Sequence, residues 1–462
     1  MVRPRLLFLL LFAVLLASRL CHVGILWEGD AYPLAAAKQM ARGKVLYRDI
    51  WFDKPPVLPG LYLLWGARDG VPLRLAGALY ALLVCWIAYG LARDCWSQRE
   101  GIWAAALCGF FLIFDFPSSV IPVASDLLMA APGVAAVWMS SRRKPLVSGV
   151  LAGLAFWINP KGALYAAVCV AWDIRAIPLL AAGFAAVTGA ALAWLGASGA
   201  IAGWWEEVWK WGRLYAGSTF VESPLWNGVL RTLGWMGFHA ALVVAAAWFL
   251  WRERPPAIVR WLVWLAAAVL GVSAGLRFFP RYYFLLLPVF VLMASRGLVL
   301  MGRRRAIAVA ALLAVPLVRF GPSYAAALRD GNWRDTAMDR DSRAAASRIR
   351  QLAKPGDTLF VWGYRPELYV YTALPAATMY IDAQPLTGVP ADRHLTDSRP
   401  VETVQAAARR LALGESRPSF IADGLGAYNP QMAIGRYPEL GKWLDGYREA
   451  GRTIGTVIYQ KR

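Results

Sequence analysis

Apolar runs follow one another from Arg5 to Arg319, many of them about 20 residues long and parted by short polar breaks. About 20 apolar residues is the length a helix needs to cross a hydrocarbon core. The pattern predicts spans at 5–26, 71–93, 101–114, 121–140, 146–159, 161–172, 177–199, 233–251, 258–276, 282–300 and 304–319. The pair 146–159 and 161–172 is short and broken by Asn159-Pro160-Lys161-Gly162. Counting both halves as spans gives about 11 transmembrane helices. Leu58–Trp65 is too short to cross and is predicted as a re-entrant or interfacial helix.

Beyond Arg319 the pattern changes. Residues 325–353 are charged and helix-forming, Asp357–Gly363 reads as a buried strand ending in a turn, and Pro366–Thr372 as a short helix. Ser419–Asp423 and Thr453–Gln460 read as further strands, with helices at 401–412 and 438–449. The expected architecture is a polytopic α-helical membrane domain over 1–319, with a first external loop at 27–70. A small C-terminal α/β domain over 320–462 follows.

Composition agrees with this division. A chain that is 58% hydrophobic and 17% charged, with mean hydropathy +0.45, is outside the range of ordinary soluble proteins. Its 23 tryptophans suit the headgroup level of a bilayer. The formal charge of +20 does not point to nucleic acid, because many basic residues punctuate the helices: Arg3/Arg5, Arg93/Arg99, Arg142/Arg143/Lys144, Arg252/Arg254 and Arg303/Arg304/Arg305. Cytoplasmic loops are enriched in Lys and Arg, so these breaks are expected inside. Loops 27–70, 115–120, 200–232 and 277–281, and everything after 319, then fall outside. The apolar run at 6–20 is expected to be a retained first helix rather than a cleaved signal. Five cysteines, none after Cys169, show no disulfide or metal spacing, and His22, His239 and His394 have no zinc-ligand spacing.

Charge beside a bilayer is expensive and marks function. Asp30, just past the first span, can act as a general base toward a hydroxyl nucleophile, or cap a helix beginning near Tyr32; Glu28 is its nearby substitute. In Asp53-Lys54-Pro55-Pro56 two prolines restrict the backbone, and the Lys54 ammonium is a point charge for phosphate; the bland alternative is a solvated turn. Asp126 lies a few residues inside an apolar span and needs a partner or a wet cavity, or else serves as an interhelical hydrogen bond. Lys161 at the Pro160–Gly162 break suits an anionic head group or snorkels to the interface. Arg277 and Arg281, followed by Tyr282, are candidate phosphate forks or interfacial anchors.

Taken in order, these elements resemble the GT-C superfamily of integral-membrane glycosyltransferases, in particular the branch with protein O-mannosyltransferases and the lipid A aminoarabinose transferase. The first-loop acidic residue is similar to Asp30, the acidic-Lys-Pro element to Asp53-Lys54-Pro55, and the approach to it to Gly43-Lys-Val-Leu-Tyr47-Arg-Asp49. Ser125-Asp126 resembles the second acidic position, Gly153-Leu154-Ala155 through Lys161-Gly162 the following break, and Arg281-Tyr282-Tyr283 with Pro288 the late helix. The resemblance implies transfer of a monosaccharide from a polyprenyl-phosphate donor to a lipid, glycan or protein acceptor, with inversion, on the periplasmic face of a bacterial inner membrane. In that reading Asp30 and Asp126 are catalytic, and Lys54, Arg281, Lys161 and Arg277 bind the donor phosphate. Glu28, Asp53 and Tyr282 support them. No metal or cofactor is required, although a divalent cation bridging Asp30 or Asp126 to phosphate is accommodated. The rival classes are a lipid or sugar transporter or flippase, which would show pseudo-repeats and midplane charge, and a non-catalytic polymer-assembly component. No repeat is visible.

Overall fold

The computed structural model describes residues 4–217, 222–253, 257–329, 333–390 and 398–462. Arg3, Arg254 and His394 lie outside them. Helix α1 (Pro4–Leu20) leads into α2 (Glu28–Met40), then α3 (Val71–Cys95), α4 (Gln98–Phe111), α5 (Ser125–Ser141), α6 (Pro145–Ile158), α7 (Ala163–Trp172) and α8 (Ile177–Ala197). After the 201–217 segment come α9 (Pro224–Phe238), α10 (Ala240–Arg252), α11 (Ala257–Ser273) and α12 (Leu286–Met301). The break after α6 falls where Asn159 accepts the Lys161 N–H at 3.1 Å and Pro160 opens a 3-10 turn.

Among the described residues four helices are long and apolar enough to cross a membrane alone: Val71–Cys95, Ile174–Ala197, Pro280–Met301 and Arg303–Arg329. A fifth is counted if the pair α9 and α10, bent by 89°, is one span. The expected single span at 233–251 is therefore a bent pair, turning at His239. Most remaining apolar helices are 10–17 residues long, shorter than a straight crossing requires. Helices α6 and α8 approach closely through glycine: a Cβ on Gly149 would lie 2.0 Å from the Leu180 carbonyl, and one on Gly183 2.2 Å from that of Leu146. Small residues give this close approach in bilayers, where no hydrophobic drive brings helices together.

The C-terminal part holds one four-stranded sheet of β1 (Leu359–Trp362), β2 (Phe420–Asp423), β3 (Tyr447–Arg452) and β4 (Val457–Lys461), ordered β1-β2-β4-β3. Strands β1 and β2 are parallel and fully buried, whereas β4 runs antiparallel to both its neighbours. A helix was expected over 438–449; it stops at Leu444, and Tyr447–Arg452 is an edge strand. Its polar sequence YREAGR, largely exposed, carries none of the apolar alternation that betrays a strand.

Helix α2 lies where the membrane helices meet this C-terminal part. The Leu26 N–H donates to Asp339 at 2.8 Å, Trp51 N–H to the Met379 carbonyl at 2.8 Å, and Lys44 to the Ala376 carbonyl at 2.7 Å. Residues 31–37 of α2 are all buried. The first loop is thus interior structure, fixed from both sides.

Candidate active site

The first loop is held as a knot around the Asp53-Lys54 element. Phe52 stacks on Tyr32 (4.6 Å between centroids), and the Tyr47 hydroxyl donates to the Lys54 carbonyl at 2.6 Å. From the 201–217 segment, buried Glu207 accepts the Phe52 N–H at 2.8 Å. That segment contains a π-helical stretch, Trp205–Lys210, and such stretches recur at functional sites.

Above this knot lies a cavity of about 370 Å³. Its charged lining comes from Glu28 on α2, Asp53 and Lys54 of the first loop, Asp126 on α5, Lys161 in the break after α6, Arg213 of the 201–217 segment and Arg281 before α12. Arg281 bonds to Glu28 at 2.8 Å and Lys54 to Asp53 at 2.7 Å. Burial opposes the Lys54 charge, but the carboxylate of Asp53 outweighs it, and the ammonium pKa is raised. Asp126 accepts from the Asn159 amide at 3.4 Å. Among the described residues the buried Lys161 ammonium has no hydrogen-bond partner, and it rests 3.4 Å from the centre of the Tyr282 ring. Tyr282 and Tyr215 share a hydrogen bond of 2.7 Å between their hydroxyls. The lining also holds apolar or small residues: Val208, Trp209, Gly212, Ala216, Ala274 and Phe279.

Seven of the sequence candidates therefore meet: Glu28, Asp53, Lys54, Asp126, Lys161, Arg281 and Tyr282. Two do not line the cavity. Arg277 packs flat on Tyr215, 3.9 Å from the ring centre, and donates to its carbonyl at 3.2 Å. Asp30, expected as base or cap, does not line it either and caps no helix. The helix begins at Glu28 with Trp27 at the cap position, and the fully buried Asp30 carboxylate pairs with Arg74 at 2.8 Å and accepts the Val123 N–H at 2.7 Å. Arg74 was missed in the sequence, although an arginine one turn into an apolar helix is a signal in itself. Tyr215, Glu207, Tyr364 and Gln384 were also missed; no local pattern sets them apart from other buried polar residues.

Among the described residues no three His, Cys, Asp or Glu side chains converge in a metal-binding group. With Glu28 engaged by Arg281 and Asp53 by Lys54, the cavity carboxylates do not form a cation cage, so no step is assigned to a metal.

No protein-family model and no curated protein matches the chain. Solved structures do. ArnT from Cupriavidus metallidurans in the apo state superposes with TM-score 0.63 and 15% identity, covering 98% of this chain and 97% of that one. The Archaeoglobus fulgidus oligosaccharyltransferase complex with zinc and sulfate gives 0.53 and 13%, over 98% and 73%. Its complex with an inhibitory peptide and a dolichol-phosphate gives 0.52 and 13%, over 98% and 74%. The chain has the fold of the GT-C membrane glycosyltransferases. Nearly the whole of this chain matches ArnT over nearly all of that protein's length, and matches the archaeal oligosaccharyltransferase AglB over about three quarters of that protein's length.

Proposed function

We propose that this protein is a membrane glycosyltransferase that moves a monosaccharide from a polyprenyl-phosphate donor to a cell-envelope acceptor. One observation carries the reading: a single cavity is lined by four cations and three carboxylates together with apolar and small residues. That mixed lining suits a lipid tail joined through a phosphate to a sugar.

Lys54, Lys161 and Arg281 bind the phosphate; among the described residues the Lys161 ammonium meets no hydrogen-bond acceptor, and the phosphate supplies one. Asn159 holds the break by accepting the Lys161 backbone N–H while its amide donates to Asp126. When phosphate enters, the Arg281 fork turns part of its bonding from Glu28 to the phosphate oxygens. Glu28, on the same cavity lining, takes the proton of the acceptor hydroxyl. The acceptor oxygen bonds to the anomeric carbon as the bond from that carbon to the phosphate oxygen breaks. Its electron pair leaves on the phosphate, where the cations stabilise it, and the anomeric configuration inverts. The base is thus assigned to Glu28 rather than Asp30.

The same reading takes the eleven apolar segments as crossings, some through thinned bilayer, and puts the first loop and the 320–462 domain on the periplasmic side of a bacterial inner membrane. The fold shared with a protein solved with a dolichol-phosphate supports a lipid-linked donor. Transfer assays in proteoliposomes with defined polyprenyl-phosphate sugars test it. Glu28→Gln should lower the rate by about 10²–10⁴, and Lys54→Ala should raise the donor concentration needed for half-maximal rate. Wild-type protein that transfers nothing from any such donor would refute the reading.

A further inference from the structure

Sorting the cavity wall by chemistry leaves a remainder. The apolar lining suits an isoprenoid and the cations suit phosphate, but neither recognises a sugar ring. Two lining residues come from the C-terminal domain, Tyr364 and Gln384, and both are neutral hydrogen-bonding groups. An aromatic face and a side-chain amide are the usual complement of a pyranose, whose C–H face stacks on a ring while vicinal hydroxyls bond an amide.

Both are held in place. Tyr364 follows β1 through Gly363 (φ +103°), where a Cβ would press on Leu425 at 3.1 Å. The next residue, buried Arg365, pairs with Asp341 at 2.8 Å and donates to Thr456 at 2.8 Å. The Tyr364 ring lies 5.2 Å from that of Tyr32 on α2. Burial and the nearby carboxylates Glu28, Asp53 and Asp382 raise its phenol pKa well above the ordinary value, so the hydroxyl remains a donor at neutral pH. Gln384 opens a short turn of helix with its N–H bonded to Asp382 at 2.8 Å, which fixes the backbone that carries the amide.

We propose that Tyr364 and Gln384 read the donor's sugar ring, so that the C-terminal domain sets which monosaccharide is accepted. The proposal rests on the lipid-linked-sugar reading above and extends it to specificity. A rigid roof also fits the anchoring of this domain on α2: its two reading groups keep a fixed height over the phosphate site.

The test is donor binding by the full-length protein in lipid nanodiscs, without acceptor, so that turnover is not needed. The probes are bare polyprenyl phosphate and a panel of polyprenyl-phosphate hexoses and pentoses, including epimers. Wild type should bind one sugar lipid more tightly than bare polyprenyl phosphate. Gln384→Leu and Tyr364→Phe should each reduce that preference by about tenfold, the worth of one neutral hydrogen bond. The variants should bind bare polyprenyl phosphate as wild type does, which also shows that they are folded. Variants that keep the wild-type ranking of epimers, or lose affinity for the bare lipid in parallel, would overturn the proposal. So would a wild type that binds bare and sugar-bearing lipid alike. A wild type that binds none of these lipids would instead defeat the glycosyltransferase reading itself.

Discussion

At the scale of single residues, the decisive contrast is between Glu28 and Asp30. Both were legible as acidic residues in the first loop, but their roles were not. The sequence reading began the helix near Tyr32, which leaves both in a loop; the helix begins at Glu28. Two positions along a helix are about 200° apart around it, so Glu28 faces the cavity and Asp30 faces Arg74. The consequence is measurable. Asp30→Asn leaves the buried Arg74 guanidinium without its carboxylate and should cost about 3–5 kcal/mol of stability, seen as poor yield or a lowered Tm. Glu28→Gln should leave Tm close to wild type while transfer collapses. A stable, inactive Asp30→Asn protein would return the base to Asp30. Glu207 gives a pH-dependent counterpart. Burial raises its pKa well above the ordinary carboxyl value, so the native state holds the proton more tightly than the unfolded chain. Its contribution is therefore greatest below the ordinary carboxyl range and is lost as pH rises toward the raised value. Glu207→Gln keeps an acceptor for Phe52 N–H and should flatten that decline in a series of Tm against pH. Glu207→Ala should cost about 1–3 kcal/mol at the acid end of the series by leaving the N–H unpaired, and less as pH rises.

At the scale of elements, apolar periodicity located most helices to within a few residues, because burial in lipid or protein leaves a strong signal. Val71–Cys95 and Ile177–Ala197 are examples. It could not report how helices pack or bend, since the bend at His239 and the glycine contacts depend on partners distant in sequence. It also failed at β3, an edge strand whose exposed polar residues carry no pattern. The α6–α8 contact offers a direct check. Gly183→Val forces a side chain into the Leu146 carbonyl and should destabilise by about 1–3 kcal/mol or more. Gly189→Ala, on the same helix with open space around it, should have no measurable effect on detergent-solubilised Tm. Equal tolerance of both changes would mean that α6 and α8 are not in close contact.

At the scale of the whole molecule, a bundle of apolar helices carries a small sheet domain, with the first loop bonded between them and lining the cavity. The convergence of Lys54, Asp126, Lys161 and Arg281 was legible as a list of costly charges near helix ends. Their meeting with apolar lining from the 201–217 segment and residues 274–279 was not, because those stretches carry no chemical motif. The proposed topology has an inside N-terminus and an outside C-terminus. Alkaline phosphatase fused after Arg462 should be active, and a fusion near Arg143 inactive; the reverse would move the cavity to the cytoplasmic face. The central claim, that this cavity binds a lipid-linked sugar through its phosphate, is tested most directly by cryo-electron microscopy of the protein saturated with polyprenyl phosphate. The account expects phosphate density within hydrogen-bond reach of Lys54, Lys161 and Arg281, with the tail along Trp209 and Ala216. Phosphate density elsewhere, with this cavity empty at saturation, would contradict it.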